Sequence, residues 1–207
     1  MTRNFRGWRQ LPLAGITLPL EPVYPLFFAI VPDNFAVPQI VQTARRLQVR
    51  DGLTGTFVPS ECLHVTLHEV RGSGPQYSLI SKACQAAASL KFPAFDVTFD
   101  QAVNFDRNTD KERQHPIVLC GSSGMEKLQE FYRVLAAKMA RTGLRPSARG
   151  FTPHITLLYS RDRVKEPFVE KLGWTAREFV LVQSLYGQTR HVVLARWALG
   201  GERAARN

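Results

Sequence analysis

The feature that most constrains this chain is a pattern that occurs twice. An apolar run bounded by prolines, PLFFAIVP (Pro25 to Pro32), is followed by apolar residues at helical spacing, Ile40, Val41, Ala44 and Leu47, and then by the alternating LHVTLHEV (Leu63 to Val70). The second half begins again with HPIVLCG (His115 to Gly121), a long amphipathic stretch from Met125 to Thr142, and PHITLLY (Pro153 to Tyr159). His64 falls 64 − 27 = 37 positions after Phe27, and His154 falls 154 − 117 = 37 positions after Ile117. Strand, helix and strand at matched spacing, with little identity between copies, predict an α+β fold made of two β-α-β-α-β lobes. Mostly antiparallel sheets should face a central cleft, with the helices outside.

The remaining segments extend that reading. Tyr77 to Leu90 has helical periodicity, and Phe92 to Phe105 reads as a long strand with Phe95, Val97 and Phe99 on one face. A polar stretch at 106–114 has the composition of an exposed hairpin tip or inter-lobe link. Glu166 to Leu172 is expected to form a short helix, and Phe179 to Gly187 and His191 to Leu199 a closing hairpin. The expected organisation is an N-terminal arm over 1–24, one bilobal domain over 25–200 with lobes at about 25–110 and 111–200, and a basic tail over 201–207.

Composition narrows the class of partner. The 207 residues are 44% hydrophobic, enough to fill a sizeable core, and 27 Lys and Arg against 17 Asp and Glu give a formal charge of +10. Such a surface attracts anions. No run approaches the roughly 18 uninterrupted apolar residues of a membrane span. The segment LPLAGITLPL behind Arg3, Arg6 and Arg9 superficially has the build of a signal peptide, but Pro12 and Pro19 interrupt it and no small-x-small cleavage site follows. Cys62, Cys84 and Cys120 are an odd set without Cys-x-x-Cys spacing, as expected of buried thiols in a reducing compartment. A cytoplasmic monomer is expected, with no obligate protein partner.

The chemistry concentrates in the two alternating segments. Residues two apart in a strand share a face, so His64, Thr66 and His68 point one way while Val65 and Leu67 point into the opposite layer. His154 and Thr156 repeat the arrangement against Ile155 and Leu157. A pseudo-twofold between the lobes would bring two imidazoles and two hydroxyls around one ligand. That set suits a phosphodiester: one group must take a proton from the attacking water and another must give one to the leaving oxygen, and histidine titrates near neutral pH. Threonine hydroxyls can donate to the non-bridging oxygens, where charge accumulates.

These residues carry a resemblance. His64-Val65-Thr66-Leu67 and His154-Ile155-Thr156-Leu157 are similar to the paired HxTx motifs of the two-histidine (2H) phosphoesterases, in particular the bacterial and archaeal RNA 2',3'-cyclic phosphodiesterase and 2'-5' RNA ligase family. The likeness runs from about residue 25 to 200 and includes the leucine before the first motif, the Pro-His of the second, and Ser184, Gly187 and Trp197 of the closing hairpin. It implies a bilobal fold, a metal-independent cyclic phosphodiesterase without cofactor, and RNA ends or nucleoside 2',3'-cyclic phosphates as substrates. It further implies that His64 protonates the departing 3' oxygen while His154 activates water, leaving a 2'-phosphate; the residues themselves do not distinguish these roles. The chain departs from its relatives at Tyr159, where they usually carry arginine, and at His68-Glu69, where Arg-Phe or Ala-Phe is common. Joining of RNA halves through a 2'-5' bond is an alternative for the same site, and a non-catalytic nucleotide- or RNA-binding module is a second.

Further residues are candidates for substrate contact. His68 shares the motif face and either lines the cleft or forms a hydrogen-bonded wall. Phe151 could stack on an exposed base or belong to the core. Arg149 and Arg161 flank the second motif and could hold phosphates. Tyr159, in phase with Leu157, reads as packing, and His115 and His191 read as structural. His64 and His68 are spaced for one face of a helix, but the alternation here is that of a strand and no third ligand stands nearby, so no metal is expected.

Overall fold

A computed structural model of the chain describes residues 24–105, 114–147, 150–185 and 190–200. The elements run β1 (Leu26–Ile30), α1 (Ala36–Asp51), β2 (Gly55–Phe57), a 3-10 turn (Ser60–Cys62), β3 (Val65–Glu69), α2 (Gln76–Ala88), β4 (Phe95–Asn104), β5 (His115–Cys120), α3 (Glu126–Arg141), β6 (His154–Ser160), β7 (Phe168–Ala176), β8 (Glu178–Leu185) and β9 (Arg190–Ala198). The fold is α+β, and all of its strand pairs are antiparallel.

Strand order is β7-β4-β5-β6-β3-β1-β8-β9, with β2 paired to β6. The halves are therefore not contiguous in sequence. β4, from the first half of the chain, joins β5, β6 and β7, while the C-terminal hairpin β8-β9 joins β1 and β3. The two motif strands end up adjacent at the centre, joined through the single pair Val65↔Ile155. The helices cross over as well: α1, which follows β1, packs under β6, and α3, which follows β5, packs under β3. Each half thus supports the other's motif strand.

Apolar periodicity explains these elements. α1 buries Ile40, Ala44 and Leu47, and α3 buries Leu128, Phe131, Leu135 and Met139, the 3–4 residue spacing of one helical face. These meet Val65, Leu67, Ile155 and Leu157 from the inner side of the sheet, where burying each large side chain is worth about 1.5–3 kcal/mol. Phe95, Val97 and Phe99 are buried on that same side, as their alternation predicts. α1 stops at Gly52, whose left-handed φ of 71° lets its N–H bond back to the Gln48 carbonyl.

One expected element differs. The segment expected to be helical from Glu166 is the edge strand β7, paired to β4 from Gln101↔Phe168 to Phe95↔Ala176. Leu172, Trp174 and Ala176 bury at period two, and the apolar spacing of Phe168, Val169 and Leu172 that suggests a helix is overridden by pairing to a long neighbour. β2 is an addition to the expected elements. Its backbone approaches the Tyr159 carbonyl so closely that only Gly55 fits there. Residues 106–113 of the expected hairpin tip or link, residues 1–23 of the expected arm, and the basic tail lie outside the described residues.

Candidate active site

The two motifs adopt one local structure. Burial along 64–70 follows the same sequence as along 154–160: His64 and Thr66 are half-buried, as are His154 and Thr156, while Val65 and Leu67, like Ile155 and Leu157, are buried. Each strand then carries an extra residue. Thr66 pairs with Ala29 and Glu69 with Phe27, so three steps of β3 oppose two of β1. Thr156 pairs with Val118 and Leu158 with Ile117, so two steps of β6 oppose one of β5. These are β-bulges, which locally shift the facing of the side chains that follow.

The bulges correct two expectations. His68 does not share the cleft face with His64 and Thr66; it occupies the place Leu158 has in the other strand and is fully buried. Its Nε2–H donates to the Tyr132 carbonyl at 2.9 Å, and its ring stacks on Tyr132 with centroids 3.8 Å apart. Its Nδ1 has no hydrogen-bond partner among the described residues, and burial lowers its pKa. Tyr159, expected to pack in phase with Leu157, is instead 45% exposed.

Both motif imidazoles are held from behind. The His64 Nδ1–H donates to the Cys62 carbonyl at 2.7 Å, and the His154 Nδ1–H donates to the Thr152 carbonyl at 2.8 Å. A carbonyl only accepts, so each bond fixes the tautomer and leaves Nε2 as the nitrogen that can gain a proton. The Thr66 hydroxyl lies 3.0 Å from His64 Nε2. Continued in its antiparallel register, the Val65↔Ile155 pair sets His64 opposite Thr156 and Thr66 opposite His154. Two imidazoles and two hydroxyls therefore converge on one face of the sheet, on strands that diverge from a single shared pair.

The surroundings of the two rings differ. His64 lies 5.0 Å from Phe27 and 5.0 Å, edge-on, from His191. Burial pushes its pKa down from 6.5 to about 4; the Cys62 carbonyl works in the other direction, and His191 and His154 add to the depression. His154 lies 4.6 Å from Phe105 and opposite Cys120 on β5, whose thiol is pushed up to about 11 by burial and so stays neutral. Phe27, Phe105 and His191 are not marked as site residues by the sequence. They belong to no local motif, and only strand pairing brings them beside the histidines.

The other candidates fall elsewhere. Phe151 is half-buried and stacks on Tyr132 at 4.0 Å with an interplanar angle of 3°, so at least one of its faces is occupied by protein. Arg161 is exposed beyond the end of β6, 161 − 154 = 7 residues from His154. Arg149 lies outside the described residues. His115 is buried in β5 opposite Ser160. Among the described residues no group of three His, Cys, Asp or Glu side chains could hold a metal ion, and no helix is long and apolar enough to cross a membrane. Cys62 is buried, and Cys84 and Cys120 are half-buried free thiols.

A duplicated antiparallel sheet with paired His-x-Thr strands at its centre defines the two-histidine phosphoesterase class. The chain belongs to the 2'-5' RNA ligase superfamily, whose family model matches residues 31–187. Among solved structures it is similar to E. coli LigT complexed with 3'-AMP, at 26% identity and a TM-score of 0.66, over 86% of this chain and 99% of that one. It is equally similar to a protein described as a phosphoesterase, at 26% identity and a TM-score of 0.67 over 86% and 99% of the two chains. A protein of Thermus thermophilus shares the fold at 20% identity and a TM-score of 0.62, over 86% and 100%. No curated protein sequence matches the chain.

Proposed function

We propose that this protein hydrolyses RNA or nucleoside 2',3'-cyclic phosphates to 2'-phosphates, using His64 and His154 as an acid-base pair without a metal. The observation that carries this reading is the convergence of both imidazoles, each with its Nδ1 committed to a backbone carbonyl, and both threonines on one cleft face. With the phosphate between them, one neutral imidazole takes the proton of the attacking water as its oxygen bonds to phosphorus. The other, protonated, gives its proton to the 3' oxygen as the P–O3' bond breaks. Thr66 and Thr156 donate to non-bridging oxygens. Burial opposes a charge on His64; an anionic phosphate offsets that penalty, so His64 gains its proton as substrate binds and then serves as the acid.

Nucleotide occupancy in a relative supports the substrate class, since E. coli LigT has been crystallised with 3'-AMP and with NADP+. The family description favours a second sense of the same chemistry, the joining of RNA through a 2'-5' bond, in which acid and base exchange roles. The reading takes the protein as a cytoplasmic monomer with bound RNA ends as its partners, its arm and tail being accessory to the bilobal domain. Assay of EDTA-treated protein on a nucleoside 2',3'-cyclic phosphate tests it. Undiminished formation of the 2'-monophosphate is expected, and activity that appears only when a divalent ion is restored would overturn the metal-free mechanism.

A further inference from the structure

A third imidazole that neither motif contains stands beside His64. His191 stands on β9 opposite Ser184, and its ring packs edge-on against both Phe27, at 5.4 Å, and His64, at 5.0 Å. β8 presents Val180 and Val182 on this face, where they cluster with Phe27 and Ala29, so β9 carries His191 over an apolar wall toward the motif. The ring is half-buried. Among the described residues it makes aromatic contacts and no hydrogen bond. Burial lowers its pKa, as it lowers that of His64.

The titratable groups nearest this spot are His64, just before β3, and the Cys62 thiol, which meets the His191 backbone; His154 acts on the same spot through His64, and none of the ring contacts of His191 involves a carboxylate. Imidazoles gathered without a carboxylate repel one another when charged, and an anion placed among them relieves the repulsion. A cation does not fit the same spot, because the described residues bring no three such side chains within reach of one metal ion. A phosphate seated at His64 Nε2 is close enough to accept a hydrogen bond from a ring 5.0 Å away.

We propose that His191 is a phosphate-binding residue that donates a hydrogen bond to a non-bridging oxygen of the phosphate held against His64, binding the anion without passing a proton to or from the reacting atoms. This rests on the phosphodiester reading above. It assigns the side of the sheet carrying β8 and β9 a share in phosphate recognition.

His191→Phe keeps the ring packing and removes both nitrogens; His191→Gln restores a donor. Two readouts are needed: calorimetric binding of inorganic phosphate, and steady-state hydrolysis of a nucleoside 2',3'-cyclic phosphate. The expected result is that H191F weakens phosphate binding and raises KM on the order of tenfold, with kcat changed less than about threefold, and that H191Q recovers part of both. Unchanged phosphate affinity in folded H191F would overturn the proposal. So would a fall in kcat at unchanged KM, which would make His191 a proton-transfer group. If the wild type turns over no cyclic phosphate, the phosphodiester reading fails, while the phosphate titration still decides whether His191 binds the anion. Should H191F not fold, His191→Leu carries the same comparison.

Discussion

β3 and β6 are nearly the same strand in two settings. Both carry His-x-Thr-Leu, both bulge after the threonine, and both bury the same positions. Around β3, however, the histidine meets a second imidazole and has its own threonine on Nε2, whereas around β6 the neighbours are Phe105 and a neutral thiol. Duplication explains the matched backbone frame, and the exchanged outer hairpins explain the unmatched surroundings. A pair of like residues can then divide the roles of acid and base, because environment rather than residue type sets which ring is charged.

The largest expected effect is on the rings themselves. His64→Ala or His154→Ala should each lower kcat on a cyclic phosphate by at least roughly 100-fold with the fold retained, since removing a positioned acid or base costs that much. Circular dichroism alongside the assay separates lost chemistry from lost structure. A single variant near wild-type rate would break the equivalence of the two strands.

Next comes a position at which the strands differ in residue but not in place. His68→Ala should lower unfolding free energy by about 2 kcal/mol in urea titrations, because it opens a cavity under Tyr132 and removes the hydrogen bond to its carbonyl. Turnover below the melting range should stay within about threefold of wild type. A loss as large as that of the motif histidines would restore His68 to the site.

Thr66→Val and Thr156→Val should each cost about tenfold in kcat, the worth of one hydrogen bond to a charged group. Thr66→Val should also move the His64 titration, followed by imidazole NMR, and Thr156→Val should move it less. The smallest effect is on stability. With His64 near 4 when folded and near 6.5 when unfolded, the unfolded chain binds the proton first as pH falls. Stability should therefore drop by about 1 kcal/mol between pH 7.5 and 5.5. His68 and His191 are depressed in the same direction and should add to the drop. Denaturant midpoints flat across that window would contradict the buried, neutral His64.

Much of this is legible in the chain. The two motifs, their strands and the α+β duplication follow from period-two alternation and matched spacing, which are local properties. The bulges are not legible, because an extra residue in β3 or β6 is defined only against β1 or β5; that is why alternation alone puts His68 and Tyr159 on the wrong faces. β7 reads as a helix because Phe168, Val169 and Leu172 have helical spacing while their partner in β4 lies about seventy residues away. His191 reads as structural for the same reason: nothing near it in sequence announces the imidazole of His64.

The account rests on His64 and His154 acting together in one transition state, and the double variant tests that most directly. Rates of His64→Ala, His154→Ala and the combined variant on one nucleoside 2',3'-cyclic phosphate should show the double within a few-fold of the poorer single, because either loss alone already disables the paired transfer. Losses that multiply across the two sites would contradict it and make the imidazoles independent contributors.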